Sequence, residues 1–293
     1  MLPEVFTPQY LAQLELLKIH SRRAYLGSRQ GGHVSLKRGH GLEFSDFREY
    51  ELGDSPRHID WGLYGRTDKL YVKRFQEEQD LPVLIILDSS ASMNAIPSDA
   101  KWEFACNLTL SLTYVGLIQQ DTVTIAPLGE KILPRYNGAR SIHRAHQALS
   151  RVKPAGVRQL DQEVRAIASR LSAPGKVFLI SDLLVEFEIA ERALNALRGR
   201  NLDITVIQVL GANDRDPLPK QEAIVARDSE TAERVELNLD NKSRRKYQLL
   251  LDQHQQQLKD FCHSHQILFS VADSSTIVSN FIVERLPELG LLR

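Results

Sequence analysis

The chain has 293 residues, 42% of them hydrophobic and 25% charged, with 37 Lys+Arg set against 37 Asp+Glu. This composition excludes a disordered, collagen-like or low-complexity chain. A net charge of zero argues against a dedicated nucleic-acid binder, so no nucleic acid is expected as a partner.

Taken in chain order, residues from about Thr7 to Tyr25 read as a helix, with Leu11, Leu14, Leu17 and Ile19 as a rough apolar stripe. From Leu16 to Leu42 there is no acid, while Lys18, Arg22, Arg23, Arg29, Lys37 and Arg38 all fall there. The rest of the chain is therefore net −6, with 31 basic residues against 37 acidic. Glycines at 27, 31, 32, 39 and 41 break regularity across this basic stretch, which reads as a solvated loop or a counter-patch for an acidic partner. From Gly41 to Phe75 aromatics, Arg and Asp mix densely, and short strands and turns are expected with no long helix. Pro82 marks a boundary between an N-terminal segment, residues 1–80, and a second domain, residues 81–293.

Beyond Pro82 strands and helices alternate. Val83–Leu87, Thr122–Ala126, Val177–Ile180, Ile204–Leu210 and Ile267–Val271 read as strands. Helices are predicted over Ala100–Ile118, Ser141–Val152, Leu160–Leu171, Ile189–Leu197 and Lys242–His263, and a hairpin over Ala223–Ala226 and Val235–Leu239. Strands apolar on both faces imply a parallel sheet covered by helices on both sides. The expected fold is α/β: a doubly wound, mostly parallel, Rossmann-like sheet with a smaller, mixed N-terminal segment. In such sheets ligands bind at the carboxyl ends of the strands, where the winding reverses. Two of the apolar strands end there in an aspartate, Asp88 and Asp182.

Asp88-x-Ser90-x-Ser92 follows the first of these strands directly. A loop leaving a strand end can turn the three side chains toward one point. Their oxygens are hard ligands, suited to Mg²⁺ or another divalent cation rather than zinc, and Asp182 would add a carboxylate to the same point. The structural alternative is that Ser90 and Ser92 cap the next segment while Asp88 bonds turn amides.

With these residues the domain resembles the von Willebrand factor A domain, in which Asp88, Ser90, Ser92 and Asp182 match the metal-ion-dependent adhesion site. The resemblance implies two serines that bind the metal directly and two aspartates that act largely through water. A middle-loop threonine completes the set, and a partner carboxylate fills the open position. It further implies a docking module without a catalytic step. By spacing, Arg158 stands where the threonine is expected, and an arginine cannot ligate a cation. Two outcomes stay open: a weakened site keeps a metal through Ser90, Ser92 and water, or the Arg158 guanidinium takes the metal's place and receives the partner carboxylate as a bidentate pair. Arg158 and Ser89 are assigned to partner binding.

Gly41-x-Glu43-Phe44, Arg48-x-Tyr50, Gly53-Asp54-x-x-Arg57-x-Ile59-Asp60-Trp61 and Arg66 resemble the signature of the "domain of unknown function 58" family. This second resemblance covers nearly the whole chain. It implies association with MoxR-type AAA+ ATPases in chaperone-like assembly, so a MoxR-type ATPase or its client protein is the expected partner. Arg48, Asp54, Arg57, Asp60 and Arg66 alternate in sign like a fixed ion-pair network, with Trp61 as an apolar anchor. Such a network would either clamp the N-terminal segment to the sheet or form a docking surface.

Cys106 and Cys262 define neither a disulfide framework nor a zinc site, and the nine histidines show no metal-ligand spacing. No secretory signal is read and no apolar run approaches the ~20 residues needed to span a bilayer, so a cytoplasmic chain without a membrane partner is expected. There is no nucleophile elbow and no phosphate-cradling loop. A non-catalytic adaptor is therefore the primary expectation. A metal-dependent phosphohydrolase using Asp88 is the alternative.

Overall fold

The computed structural model describes residues 2–21, 30–39, 43–51, 54–171, 175–200, 202–216, 223–227, 234–238 and 241–292. The chain divides into two units, one of residues 23–81 and one of residues 1–22 with 82–293. The boundary near residue 81 is thus joined by a second near residue 22. Helix α1 (Pro8–Glu15) belongs to the larger unit, where Tyr10 and Leu14 are buried and the Tyr10 hydroxyl donates to Ser111 Oγ at 2.9 Å. Thr7 caps it by accepting from the Tyr10 amide at 3.2 Å.

The sequence stripe carries that helix on to Tyr25, but it ends at Glu15. Residues 17–20 are drawn instead into extended ties with the end of the chain: Ile19 bridges Leu292, the His20 amide donates to Leu291 O, and the Ile19 amide donates to Gln119 Oε1. Burial of Leu17 and Ile19 satisfies the apolar pattern without a helix.

The smaller unit is built on β1 (Gln30–Gly39), β2 (Glu43–Glu49), helix α2 (Trp61–Thr67) and β3 (Tyr71–Gln79). The strands form an antiparallel sheet in the order β1-β3-β2, with register shifts on both pairings. Strand β1 corrects the sequence reading, which took this stretch as a loop. Its glycines hide the alternation, and its irregular register is what glycine-rich strands accommodate.

The larger unit follows the predicted alternation. Strands β4 (Pro82–Leu87), β5 (Thr122–Pro127), β6 (Lys176–Ser181), β7 (Asp203–Leu210), and later β10 (Leu268–Asp273) form a five-stranded parallel sheet in the order β10-β7-β6-β4-β5. Helices α3 (Lys101–Ile118), α4 (Ile142–Leu149), α5 (Leu160–Ser169), α6 (Phe187–Arg198), α7 (Ala212–Arg215) and α8 (Asn241–Ser264) surround it. Strands β8 (Ala223–Arg227) and β9 (Arg234–Asn238) pair as the expected hairpin.

Alternation along each strand sorts the core into two layers. Leu84, Ile86, Val177, Leu179, Ile204 and Val206 pack with Leu160 and Val164 of α5, Ala193 and Leu194 of α6, and Leu258 and Phe261 of α8. The intervening residues face the other layer, where α3 packs on β4, β5 and β7. The central strands β4, β6 and β7 are buried on both faces, which is why they read as unbroken apolar runs, while β10 at the edge leaves Val271 exposed. Among the described residues no helix is long and apolar enough to cross a membrane.

At the sheet edge where β6 and β7 begin, Lys176 and Asp203 are paired in register and fully buried, with Nζ 3.1 Å from Asp203 Oδ2. Ser21 Oγ donates to the same carboxylate at 3.1 Å, tying the N-terminal strap to this edge.

Candidate functional site

The strand order reverses direction at β4: β5 lies on one side, and β6, β7 and β10 follow on the other. The crevice at the carboxyl ends of β4 and β6 is therefore the switch point of the sheet, the usual ligand position in this architecture. Asp88 is the first residue after β4 and Asp182 the first after β6. The structure cross-links these two tips. The Asp88 amide donates to Ile180 O at 2.8 Å, and Ser181 Oγ donates to Asp88 Oδ2 at 2.6 Å.

Asp88 Oδ1 accepts from the Ser90 amide at 2.8 Å, which folds the loop back and sets Ser90 Oγ 2.8 Å from Ser92 Oγ. Ser90 is buried and Ser92 is half-buried, so the hydroxyl pair lies on the accessible side of the carboxylate. Ser89 is corrected as a partner-binding residue. It is fully buried, and its Oγ donates to Leu128 O at 2.6 Å, tying this loop to the one after β5.

The loop before α5 completes the arrangement. The Ala155 amide donates to Ser89 O at 3.0 Å and the Ala91 amide donates to Gly156 O at 3.1 Å, so two backbone bonds hold residues 155–156 beside the Asp88 loop. Two residues on, the Arg158 guanidinium packs against Gly129, whose φ is +73° and where any Cβ would collide with it. Arg158 Nε is enclosed and has no hydrogen-bond partner among the described residues. Glu163, in the first turn of α5, stands nearby with an enclosed Oε2 that has no partner among the described residues. Burial lifts its carboxyl above the ordinary range, Arg158 and the Gly129 amide pull it back, and Asp88 adds to the lift.

The sequence reading missed Lys101, the first residue of α3. It is buried, with Nζ 3.0 Å from Asp182 Oδ2 and 2.9 Å from Asp214 Oδ2. Burial works against its charge, but Asp182 and Asp214 together hold its pKa above the ordinary lysine value. Both arms of the pair start from left-handed backbone at non-glycine residues, Ala100 (φ 49°) before Lys101 and Leu183 (φ 50°) after Asp182. Helix α8 braces the same region, with Tyr247 donating to Asp214 O at 2.6 Å and a His254 ring nitrogen 2.8 Å from Leu183 O.

The site thus gathers four carboxylates, Asp88, Asp182, Asp214 and Glu163, against two fixed cations. Burial raises the Asp88 pKa, the Asp182 charge raises it further, and the bonds from Ser181 and Ser90 oppose the rise. A divalent cation, expected from the adhesion-site resemblance, does not find a complete donor set in these residues. Asp182 spends Oδ2 on Lys101, both Asp88 oxygens already accept, and position 158 brings a guanidinium instead of an oxygen. What remains is the two serine hydroxyls, Asp182 Oδ1, which accepts from the Leu184 amide at 3.4 Å, and the enclosed Glu163 Oε2 under the Arg158 charge, fewer free oxygens than a hard cation demands of a protein site. Among the described residues no group of three or more His, Cys, Asp or Glu is arranged to hold a metal ion.

The residues assigned to an ion-pair network in the smaller unit divide in two. Arg48 pairs with Asp54, and Asp60 caps α2 by accepting from the Leu63 amide at 2.9 Å. Arg57 and Arg66 make no ion pair among the described residues, and Trp61 is 62% exposed, not an anchor in the core. The turn glycines Gly41 and Gly53, and Arg22, Arg23 and Arg29 of the basic stretch, lie outside the described residues.

Residues 46–257 match the family profile described as "Protein of unknown function DUF58". The chain is 25% identical over 244 residues to Uncharacterized protein Mb1516 of Mycobacterium bovis and, to the same extent, to Uncharacterized protein Rv1480 of Mycobacterium tuberculosis; each alignment covers 81% of this chain and 76% of the relative. Among solved structures, it is similar to conserved hypothetical protein BatB from Bacteroides thetaiotaomicron (TM-score 0.40, 14% identity, 72% of this chain and 98% of that one). It is also similar to an aerotolerance-related membrane protein from Bacteroides fragilis (TM-score 0.44, 16% identity, 71% and 97%).

Proposed function

The chain belongs to the DUF58 family, and we propose that it is a non-catalytic docking module whose switch-point site receives an acidic side chain of a protein partner. The observation that carries this reading is the joining of two strand tips and a third loop by hydrogen bonds at one edge of the sheet. Ser181 donates to Asp88, Ser90 and Ser92 present adjacent hydroxyls, and two backbone bonds hold the loop that leads into Arg158 against the same tips. A partner carboxylate entering there accepts from the serine hydroxyls and the guanidinium, whose fork matches a carboxylate in geometry. Lys101 neutralises Asp182 from within, so the buried carboxylates repel the incoming one less.

An adaptor is favoured over a phosphohydrolase because Asp88, the nucleophile in that alternative, is buried with both oxygens engaged. The resemblance noted above makes a MoxR-type AAA+ ATPase or its client the partner of choice, with the ATP chemistry belonging to the ATPase. Capture of a purified MoxR-type ATPase by the immobilised chain tests the reading. Asp88→Ala/Ser92→Ala is expected to abolish capture, and undiminished capture would remove the docking role. Metal analysis of the purified chain is expected to find far less than one equivalent of Mg²⁺. A stoichiometric ion would show that the serines serve a cation and not the partner directly.

A further inference from the structure

Helices α5 and α6 pack side by side on the sheet and share one core layer through Val164, Ile167, Ala193 and Leu194. Where they meet the surface, the crease between them opens into a groove of about 330 Å³. Three arginines line it: Arg165 from α5, Arg192 from α6, and Arg200 just past the end of α6. Helical spacing brings them together. Arg165 and Ala168 are three apart on α5, Arg192 precedes Asn195 and Ala196 by three and four on α6, and Arg200 follows Ala196 by four. Ala168 is buried and Ala196 half-buried, so short side chains floor the groove and the exposed arginines form its banks.

Arg192 Nε donates to Asp161 Oδ2 at 2.7 Å, which fixes that side chain. Arg198 donates to Asn195 Oδ1 at 2.6 Å, so the Asn195 amide nitrogen is left as a further donor to the groove. The lining carries three guanidiniums and no carboxylate, and the remaining acids of the two helices, Glu163, Glu188 and Glu191, do not line it. The undescribed residues next to the helices, Ser172, Ala173, Pro174 and Asn201, include no acid. With Asp161 set against Arg192, two positive charges stay uncompensated within the groove itself. The helix dipole would favour arginine at the end of α6, but not Arg165 and Arg192, which stand in second turns.

We propose that this groove receives the phosphoryl group of a phosphorylated serine or threonine on a partner protein. One guanidinium fork satisfies a carboxylate. Three around one groove, with an amide donor beside them, match the three oxygens and nearly double charge of a phosphate monoester. Arginine clusters recognise phosphorylated segments in just this way. The groove is open and near the lower size limit of small-molecule pockets, which suits a side chain presented by a protein better than an enclosed metabolite. Nucleic acid calls for an extended basic track, whereas these arginines are confined to one crease of a chain with zero net charge. The proposal is independent of the switch-point reading, since no residue of the groove belongs to the loops at the carboxyl ends of the strands.

Anisotropy of a short labelled peptide, one phosphoserine flanked by Ala and Gly, tests the proposal. The phosphopeptide is expected to bind, and inorganic phosphate to displace it only at far higher concentration. The same peptide with Ser or Glu in place of phosphoserine should bind at least ~10-fold more weakly. Arg165→Gln/Arg200→Gln should weaken the phosphopeptide at least ~30-fold, with a melting temperature near that of the parent, since both side chains are exposed. Arg158→Glu, at the switch point, should bind it as the parent does. Any of six results would overturn the proposal: no binding at ~1 mM phosphopeptide, equal binding of the Ser or Glu peptide, inorganic phosphate binding as tightly as the phosphopeptide, tighter binding of oligo(dT), affinity unchanged in Arg165→Gln/Arg200→Gln, or an equal loss in Arg158→Glu.

Discussion

Lys101→Met is expected to lower the stability of the larger unit by ~3–5 kcal/mol, the usual cost of removing one partner from a buried charge pair. Among the described residues the lysine is the only cation bonded to Asp182 and Asp214, and both carboxylates lie at the end of the sheet with little access to water. Without it, burial and their mutual repulsion force one of the two to protonate or the loops after β6 and β7 to open. Asp214, whose pKa burial already raises against the pull of Lys101, would take up the proton first. Adding Asp214→Asn to Lys101→Met should therefore return part of the loss. Chemical denaturation of the three variants measures it, and a loss below ~1 kcal/mol would mean that the pair is not buried in solution. Docking should fall together with stability, because Asp182 helps shape the site.

The second large effect lies at the opposite edge of the same sheet. Lys176→Met leaves Asp203 buried beside Ser21 and is also expected to cost ~3–5 kcal/mol. The amphipathic stem of Lys176, which runs over the Phe178 ring with Nζ 5.5 Å from its centroid, is largely replaced by methionine, so the loss reports on charge and not on packing. Lys176→Met/Asp203→Leu should recover most of the stability, as buried pairs exchanged for apolar residues commonly do. Folded Lys176→Met, unlike Lys101→Met, should dock its partner with unchanged affinity, since it touches no loop of the switch point. A docking defect in Lys176→Met as large as its stability defect would indicate that both lysines act only through global stability.

The sheet was legible because its strands are apolar on both faces and end in chemistry: Val83–Leu87 runs straight into Asp88, and Val177–Ile180 into Ser181 and Asp182. The serines were legible from their spacing to Asp88. Lys101 was not, since its pairing with residues 81 and 113 positions away is set only by the packing of α3 against β7. A local signal existed all the same: a lysine in the first turn of a helix opposes the helix dipole and calls for a carboxylate elsewhere. Glu163 gave no such signal, because an acid in the first turn of α5 is what the dipole favours. Ser89 was misassigned because alternate residues in a loop after a strand do not keep one face. Leu17 and Ile19 extended the predicted α1 because an apolar stripe cannot tell helix burial from extended burial, and the choice was made by Leu292 and Gln119, about 270 and 100 residues away.

The docking role of the switch point is tested most directly by calorimetric titration of a purified MoxR-type ATPase into the chain and into its Arg158→Glu variant, both in EDTA. Wild type should bind without any divalent cation, and Arg158→Glu should bind at least ~30-fold more weakly, as expected when a charged contact across an interface is reversed. Equal affinity for the two chains, or wild-type binding that vanishes in EDTA, would contradict a guanidinium-centred site.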